Sequence, residues 1–422
     1  MTVVALDDTD SRERGMCTTY LAALVAERLA ATGGSVERRL LVRLNPAVEH
    51  KTRGNAALAL HADCDPDAAL EIAADAVAEF AETADDRTSP GVVVAPGDPL
   101  SVPESVAAFA RGAVRDHHDL ASAVALAESA GYRHRGWAGG RGRIGALAAV
   151  GAWAAFDEWT YERISYRAFE RCGTPREVDE ASLFAAADAA YPAAWDTVDR
   201  GEGEAVCVPA APGPILHGIR GDDPAAVERA AAAVDAEPVE RAATFVTNQG
   251  TDAHLRDAAL GDVRDGRSYR VDATVATAPE TREGGHVFLV LADGDDRLDA
   301  VAFEPTKRFR DRVRALRPGD EVTACGEVAD GTLKLEKFAV RSLVRTEPAT
   351  PECPDCGRSM NSAGRDQGYR CRDCGTAAPG RVERPVDRDL EPGWYEVPPC
   401  ARRHLSKPLV RGGFDAPTHP ER

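Results

Sequence analysis

The fold of the C-terminal part is decided by one short stretch, CPDCGRSMNSAGRDQGYRCRDC, at residues 353–374. Its four cysteines stand in two CxxC pairs: Cys353, Cys356, Cys371 and Cys374. Each pair forms a tight knuckle, and two knuckles at this spacing close a tetrahedral four-thiolate site for Zn²⁺. Four thiolates leave no open position, so we predict a structural zinc ribbon at 351–380 whose folding energy comes from the metal.

Upstream of this module, residues 266–345 contain five β-rich runs with alternating apolar side chains. A single helical stretch, Thr306 to Leu316, lies between the third and fourth runs. Five strands with a helix after the third are the plan of an OB-fold barrel. An OB fold followed by a zinc ribbon is typical of proteins that bind single-stranded nucleic acid. A non-enzymatic binder of this class is therefore one hypothesis, although it leaves residues 1–255 unexplained.

The N-terminal region, residues 1–255, has the alternation of strands and helices that indicates an α/β fold. Its first strand, Thr2 to Leu6, runs into Asp7-Asp8-Thr9-Asp10, and a helix is predicted from Met16 to Ala31. Further strands and helices follow, and a glycine-rich stretch at 136–152 opens another helix. The pattern does not place a boundary inside this region, so we treat it as one catalytic region.

The composition limits the class of protein. The chain has 422 residues, 44% of them hydrophobic, and its longest near-apolar run has 13 residues, whereas a membrane span needs about 20. We expect a soluble, cytoplasmic protein of several domains without a signal peptide. The formal net charge is −18, and 46 of the 51 basic residues are Arg. This acid-rich, lysine-poor composition indicates a halophilic archaeal source or an ordinary acidic protein.

Two windows of the sequence contain bases and no acid. Residues 129–155 carry four arginines, and residues 397–414 carry Arg402, Arg403, Lys407 and Arg411. On an acidic background such windows are where a polyanion is expected to bind. We therefore predict that the C-terminal tail, 395–422, binds the phosphates of a nucleic acid through a small set of side chains: Arg402, Arg403, His404 and Lys407.

Three motifs in the N-terminal region carry the chemistry of phosphate binding. Asp7, Asp8 and Asp10 end a strand, where adjacent carboxylates suit Mg²⁺ carrying a nucleotide phosphate, although a solvated acidic turn has the same composition. The second motif is HKTRGN at 50–55, either a phosphate-binding loop or a basic hairpin turn; its candidate ligands are Lys51, Arg53, Gly54 and Asn55. The third motif, RGWAGGRGRIG at 135–145, places Arg141 and Arg143 at a helix start, or else forms a tightly packed Gly/Ala helix.

Taken together, the motifs resemble the archaeal tRNA(Ile) 2-agmatinylcytidine synthetase family, and the resemblance covers nearly the whole chain in order. The stretches that carry it, besides the barrel strands and the four cysteines, are DDTDSRERGMCTTYLA, VRLNPAVEHKTRGNAA, RGWAGGRGRIGALAAVGA, HGIRGDDP, NQGTDAHL and VPPCARRHLSKPL. The resemblance implies a kinase-like domain, a ferredoxin-like domain, an OB fold and a zinc ribbon.

The resemblance also implies the reaction. An enzyme of this family uses ATP to join agmatine to C2 of the wobble cytidine in the CAU-anticodon isoleucine tRNA, so that the tRNA reads AUA. Phosphorylation of the cytosine C2 oxygen makes it a leaving group that the amine displaces. Asp7 and Asp8 are then catalytic with Mg²⁺, and Thr18 matches a threonine that the family phosphorylates on itself. An ATP-dependent kinase of a small molecule is the remaining rival.

Overall fold

The N-terminal 255 residues form one nine-stranded sheet in the computed structural model, which describes residues 1–49 and 54–422. The strands are β1 (Thr2–Asp7), β2 (Ser35–Arg43), β3 (Ala56–Asp63), β4 (Gly91–Pro96), β5 (Arg133–Gly136), β6 (Thr160–Arg167), β7 (Ala194–Trp195), β8 (Ile215–Gly221) and β9 (Val239–Thr247). The helices are α1 (Thr18–Ala31), α2 (Pro66–Phe80), α3 (Glu104–Ala113), α4 (Leu120–Ser129), α5 (Arg143–Ala155), α6 (Glu180–Ala190) and α7 (Pro224–Ala232).

The sheet consists of two β-α-β-β-α-β units that lie side by side, with β5 added at the edge next to β4. The first unit has strand order β4-β1-β3-β2 and the second has β9-β6-β8-β7, both antiparallel throughout. They are joined by a short parallel pairing in which Leu40 of β2 lies opposite Val246 of β9. Because the two units share one sheet, the chain passes from one to the other without the polar linker that marks a domain boundary in sequence.

Strand β1 is apolar at nearly every position because it is covered on both faces. Val4 and Leu6 pack with α1 and α2 on one face, whereas Val3 and Ala5 pack with α3 and α5 on the other. Near-continuous apolar strands are the usual consequence of two-sided burial. The strand ends at Asp7, where the polar sequence begins, and this end positions the site described below.

Residues 267–342 form a closed five-stranded barrel with one helix after its third strand, in the element order that the sequence predicts. The elements are β11 (Arg267–Val275), β13 (Val287–Asp293), β14 (Asp296–Ala302), α8 (Phe309–Arg314), β15 (Glu321–Ala329) and β16 (Thr332–Ser342), with short β10 (Leu255–Asp257) and β12 (Glu280–Thr281) beside them. The ring closes as β11-β13-β14-β16-β15-β11. Phe309 of the helix and Phe338 fill the interior.

The remaining residues make a small ribbon and a returning segment. The strands are β17 (Thr346–Ala349), β18 (Asn361–Ser362), β19 (Tyr369–Arg370), β20 (Ala377–Ala378), β21 (Val382–Pro385), β22 (Gly393–Glu396) and β23 (Thr418–His419). Strand β22 extends the barrel by pairing with β16, and the chain then crosses back to the N-terminal sheet. Within the described ranges no helix has the length and apolarity that a membrane crossing requires.

Candidate active site

A cleft of about 830 Å³ opens at the end of β1. Asp7, Asp8 and Asp10 form one wall, and Arg141 reaches in from the loop before α5. The opposite wall contains side chains that the motifs did not indicate, Asp116, His117 and His118, together with apolar Leu44, Val48, Ala113 and Ile144. We call this space the first cavity; it combines an acidic end with an apolar wall.

Asp7 and Asp8 hold their carboxylates in surroundings that disfavour negative charge. Burial, and then the neighbouring Asp8, raise the pKa of Asp7 well above its ordinary value. Burial also raises the pKa of Asp8 to about 6, although Arg141 opposes the shift. Adjacent carboxylates whose charges are this costly are a donor set that a divalent cation would relieve, so the site fits Mg²⁺ by its chemistry.

The glycine-rich loop brings α5 against the end of β1. A Cβ atom on Gly145 would lie 1.9 Å from Oδ2 of Asp7, and one on Gly142 would lie 2.6 Å from the Asp7 carbonyl oxygen. Only glycine permits this approach, which explains the composition of the motif. Arg141 donates to Asp8 at 3.2 Å, whereas Arg143 turns away from the cavity and donates to the Gly140 carbonyl at 2.9 Å.

A second cavity of about 910 Å³ adjoins the first and lies between the two units of the sheet. Thr18, the first residue of α1, lines it with Cys17 and Thr19, and its hydroxyl accepts a hydrogen bond from the hydroxyl of Thr9 at 3.1 Å. The far side carries Arg43, Glu162, Cys207, Arg220 and His404. Asp10 and Gly54 line both cavities, so the two spaces share an edge.

The predicted phosphate loop is only partly described. Lys51 and Arg53 lie outside the described residues, and Gly54 and Asn55 line the first cavity. The side-chain amide of Asn55 donates to the backbone carbonyl oxygen of Asn45 at 3.1 Å. The backbone carbonyl of Asn55 accepts a hydrogen bond from the backbone N–H of Leu44. Leu44, Val48, Gly54 and Asn55, which precede and follow the undescribed residues, therefore line the same cleft as the acidic end of β1.

Within the basic tail, Arg402 is enclosed and neutralised by carboxylates, which argues against its predicted contact with phosphates. The Arg402 side chain is 1% exposed and pairs with Asp196 and Glu396, the latter at 2.8 Å. A guanidinium so enclosed is out of reach of an RNA strand, so we assign Arg402 to the packing of the tail. The window is free of acid in sequence because its acidic partners come from other parts of the chain.

The other tail residues differ in what they leave accessible. Arg403 pairs with Glu327 of the barrel and lines a third cavity of about 600 Å³, next to His404. Lys407 lies 3.3 Å from Glu158 and Arg411 3.0 Å from the same carboxylate. Arg403 and His404 thus remain beside open space, whereas Lys407 and Arg411 fasten the tail to the N-terminal sheet.

The polar residues of the NQGTDAHL stretch, 248–255, connect the N-terminal sheet to the barrel beside the second cavity. The Asn248 side chain accepts from the Arg43 backbone N–H at 2.7 Å and donates to the Arg43 carbonyl at 3.0 Å. The Gln249 amide donates to Glu162 in the second cavity. Asp252 holds the buried ammonium of Lys337 at 2.7 and 2.8 Å. The motif therefore joins the sheet to the barrel and fixes the wall of the cavity.

The four cysteines converge as predicted. Their sulfur atoms all lie within 4.8 Å of one another, with 3.6 Å between Cys356 and Cys371. Four thiolates at such separations fit one tetrahedral Zn²⁺. Asp252, His254 and Glu336 also lie within this distance of one another, but Lys337 already binds Asp252, and His254 lies 3.2 Å from Glu336, so they form a buried hydrogen-bonded cluster.

Comparison with known proteins decides the family. Models for the TiaS TCKD domain, the TiaS FLD domain and the TiaS C-terminal zinc ribbon domain match residues 3–138, 140–254 and 350–390. The isoleucine-tRNA 2-agmatinylcytidine synthetase TiaS of Haloquadratum walsbyi is 57% identical, with full coverage of both chains. The chain belongs to the TiaS family. The TiaS protein of Methanosarcina mazei is 47% identical over 97% of each chain.

Solved structures of TiaS proteins have the same fold. The crystal structure of apo TiaS superposes with a TM-score of 0.89 at 41% identity, covering all of both chains. The complex of TiaS with its isoleucine tRNA and ATP has a TM-score of 0.90 at 41% identity, covering all of this chain and 99% of that one. The complex of TiaS with the same tRNA, AMPCPP and agmatine has a TM-score of 0.88 at 39% identity. The resemblance to this family is confirmed, and the Haloquadratum relative agrees with the halophile interpretation.

Proposed function

We propose that this chain is the ATP-dependent ligase that conjugates agmatine to C2 of the wobble cytidine of the CAU-anticodon isoleucine tRNA. The observation that carries the proposal is the end of β1, where three carboxylates and Arg141 line a cleft next to the cavity that contains Thr18. Relatives of this fold are described in complex with an isoleucine tRNA, ATP and agmatine. A tRNA substrate supports a cytoplasmic location.

The nucleotide is assigned to the first cavity. Asp7, Asp8 and Asp10 would hold Mg²⁺, which neutralises phosphate charge and orients the γ-phosphate when bound. Arg141 contributes a fixed cation beside them, and Gly54 and Asn55 contribute loop backbone. Lys51 and Arg53 remain predicted ligands of the same phosphates. Arg143 is directed toward loop carbonyls, so we expect it to shape the loop and not to contact ATP.

Chemistry requires an activated cytosine because its C2 oxygen is a poor leaving group. Transfer of a phosphoryl group from ATP to that oxygen makes a phosphate leaving group, and the primary amine of agmatine then attacks C2 as the C–O bond breaks. Thr18 is proposed as an additional phosphoryl acceptor, and its position near the shared edge of the two cavities supports this role. The target base has to leave its stack to reach the cleft.

We assign the domains accordingly. The order β9-β6-β8-β7 with α6 and α7 supports a ferredoxin-like unit within residues 140–254, and the acidic cleft supports a kinase-like unit before it. The barrel at 266–345 is proposed as an OB fold that receives the RNA strand. Arg403, His404 and Lys407 stay candidates for tRNA contact, with Arg403 and His404 favoured by their accessible position.

One incubation tests the proposal. The protein, ATP, Mg²⁺, labelled agmatine and the CAU-anticodon isoleucine tRNA are combined at high salt. Incorporation of label into the tRNA supports the ligase. RNA binding without ATP turnover would favour the non-enzymatic binder, and ATP turnover that is indifferent to tRNA would favour a small-molecule kinase. A parallel incubation with γ-labelled ATP compares Thr18→Val with Thr19→Val, since only the first is expected to lose protein labelling.

A further inference from the structure

Arg220 is a nearly buried arginine without a carboxylate beside it. It is 6% exposed, and no Asp or Glu oxygen of residues 1–49 or 54–422 lies within 4.0 Å of its guanidinium. Residues 50–53 contain no acid. Its guanidinium lies 3.3 Å from Nδ1 of His404 and 5.9 Å from the centre of the Trp195 ring. The two contacts of this cation, with an imidazole and an indole ring, are thus contacts with groups other than carboxylates.

Other deeply buried arginines of the described chain have anionic partners. Arg167 bonds Glu237 at 2.6 Å, and Arg402 bonds Glu396 at 2.8 Å. Burial of a guanidinium is costly unless a partner compensates for the lost hydration. A charge that is retained without such a partner indicates an anion that comes from outside the chain.

Arg43 brings a second guanidinium into the same cavity. Its nearest carboxylate oxygen, Oε2 of Glu162, is 3.9 Å away, and its buried Nε has no hydrogen-bond partner among the described residues. Burial lowers the pKa of Arg43; the carboxylate of Glu162 opposes this shift, and the positive charge of Arg220 adds to it. The two arginines therefore lie close enough to repel each other, as expected of a site that is complete only with its anion.

His404 adds a neutral donor between the two cations. The charges of Arg43 and Arg220, together with burial, hold the pKa of His404 well below its ordinary value, so the ring is neutral. Because Arg220 donates to Nδ1, the ring proton belongs on Nε2. The ring lines both the second and the third cavity, so this N–H is available to a ligand there.

We propose that Arg220, Arg43 and His404 form a binding site for a phosphate group in the second cavity. Paired guanidiniums match the geometry of phosphate oxygens. The inference rests on the proposed function for the source of the phosphate, which is either a phosphodiester of the tRNA strand or the phosphoryl group in transit from ATP. The carboxylates on this cavity have other roles, since Glu162 accepts from Gln249 and Asp10 belongs to the acidic end of β1.

The first experiment tests the site without the reaction. Thermal unfolding is followed in inorganic phosphate and in chloride at equal ionic strength. We expect phosphate to raise the Tm of the unaltered protein and to lose this effect in Arg220→Gln. The control is Arg163→Gln on the adjacent strand, whose arginine donates to Thr244 and lies 3.8 Å from Glu228. An equal rise in Tm with phosphate in Arg220→Gln would overturn the proposal. A full rise in Arg220→Lys would also overturn it, because lysine keeps the positive charge without the paired N–H donors of the guanidinium.

The second experiment identifies the source of the phosphate. Affinity for the tRNA is measured without ATP over a range of salt concentrations, and ATP-dependent phosphoryl transfer is measured separately. Weaker binding by Arg220→Gln, with a salt slope lower by about one, assigns the phosphate to the RNA backbone. Unchanged affinity with slower transfer assigns it to the phosphoryl group, and no change in either overturns the site. Failure of the proposed function would show differently, as absence of agmatine incorporation by the unaltered protein.

Discussion

The guanidinium of Arg141 lies 3.2 Å from Oδ2 of Asp8, although the two residues are 133 positions apart in the chain. The same nitrogen donates to the Arg87 carbonyl oxygen at 2.8 Å, which fixes its direction. Among the described residues that line the first cavity, Arg141 is the only Arg or Lys. It therefore supplies a fixed positive charge to the described part of the cleft.

Replacement of Arg141 by Gln is expected to slow ATP-dependent agmatine transfer by about 10²-fold or more while tRNA affinity changes little, because the lost charge faces the nucleotide phosphates. Arg141→Lys should restore part of the rate. Steady-state kinetics with ATP as the varied substrate measure the effect. Arg135→Gln is the matched control, since that arginine belongs to the same motif but pairs with Glu71 on the surface at 2.7 Å; equal losses in both variants would refute the assignment.

Replacement of Gly145 by Ala is expected to displace the carboxylate of Asp7, since the added carbon would lie 1.9 Å from Oδ2. A shift of about 1 Å in a catalytic group lowers rates by about 10²-fold. The measurement is single-turnover phosphoryl transfer, with RNA binding as a check on the fold. Gly380→Ala, which has open space around the new carbon, should leave the rate unchanged. Full activity of Gly145→Ala would mean that Asp7 is not needed at its observed position.

Replacement of Arg402 by Ala is expected to destabilise the fold by about 3–5 kcal/mol, because Asp196 and Glu396 would be left buried without their cation. Denaturant unfolding measures the change. Arg358→Ala, an exposed arginine of the ribbon, should stay within about 0.5 kcal/mol. If Arg402→Ala instead weakened tRNA binding at unchanged stability, the phosphate grip would be reinstated.

The Arg402→Ala effect should also depend on pH. Burial raises the pKa of Glu396 to about 6 even though Arg402 lowers it, so the variant's pKa should be higher still. At about pH 5, below that pKa, the Glu396 carboxyl is protonated and its charge is no longer left unpaired. At about pH 8 the folded variant either buries the charged Glu396 carboxylate or takes up a proton against the pH. Either one increases the destabilisation of the variant. The destabilisation is thus expected to be larger at the higher pH, and a pH-independent difference would contradict this account.

Replacement of Cys371 by Ser is expected to remove bound zinc and to unfold residues 351–380 alone. The ribbon buries little besides Cys353, Met360 and Cys371, so it has no apolar core that replaces the metal. Metal analysis and amide hydrogen exchange measure the two effects. Cys172→Ser, outside the ribbon, should keep the zinc. Retained protection in the ribbon without metal would show that the module folds on its own contacts.

Local signals in the sequence were sufficient for the barrel, the ribbon and the first strand, but not for the individual elements of residues 156–255. Alternating apolar residues placed the barrel strands, the paired cysteines placed the ribbon, and Asp7-Asp8 marked the end of β1, because each signal depends on neighbours a few residues away. The glycines of the 136–145 loop were also visible. The reason for these glycines is that the start of α5 contacts Asp7. The sequence did not show this reason, because the contact depends on strand β1 at the opposite end of the region.

The pairing of charged side chains is the feature that the sequence did not predict and that the three-dimensional structure determined. The family motifs, the zinc ligands and the acidic run after β1 could be read from the chain alone, because the chemistry of such short runs depends on adjacent residues. Which cations lack a partner could not be read in this way. Folding paired Arg402 with Asp196 and Glu396, and it left Arg220 buried beside Arg43 and His404. A counter-ion such as Asp196 comes from a distant part of the chain, and whether a charge is compensated depends on separation in space, which a linear window of sequence does not contain.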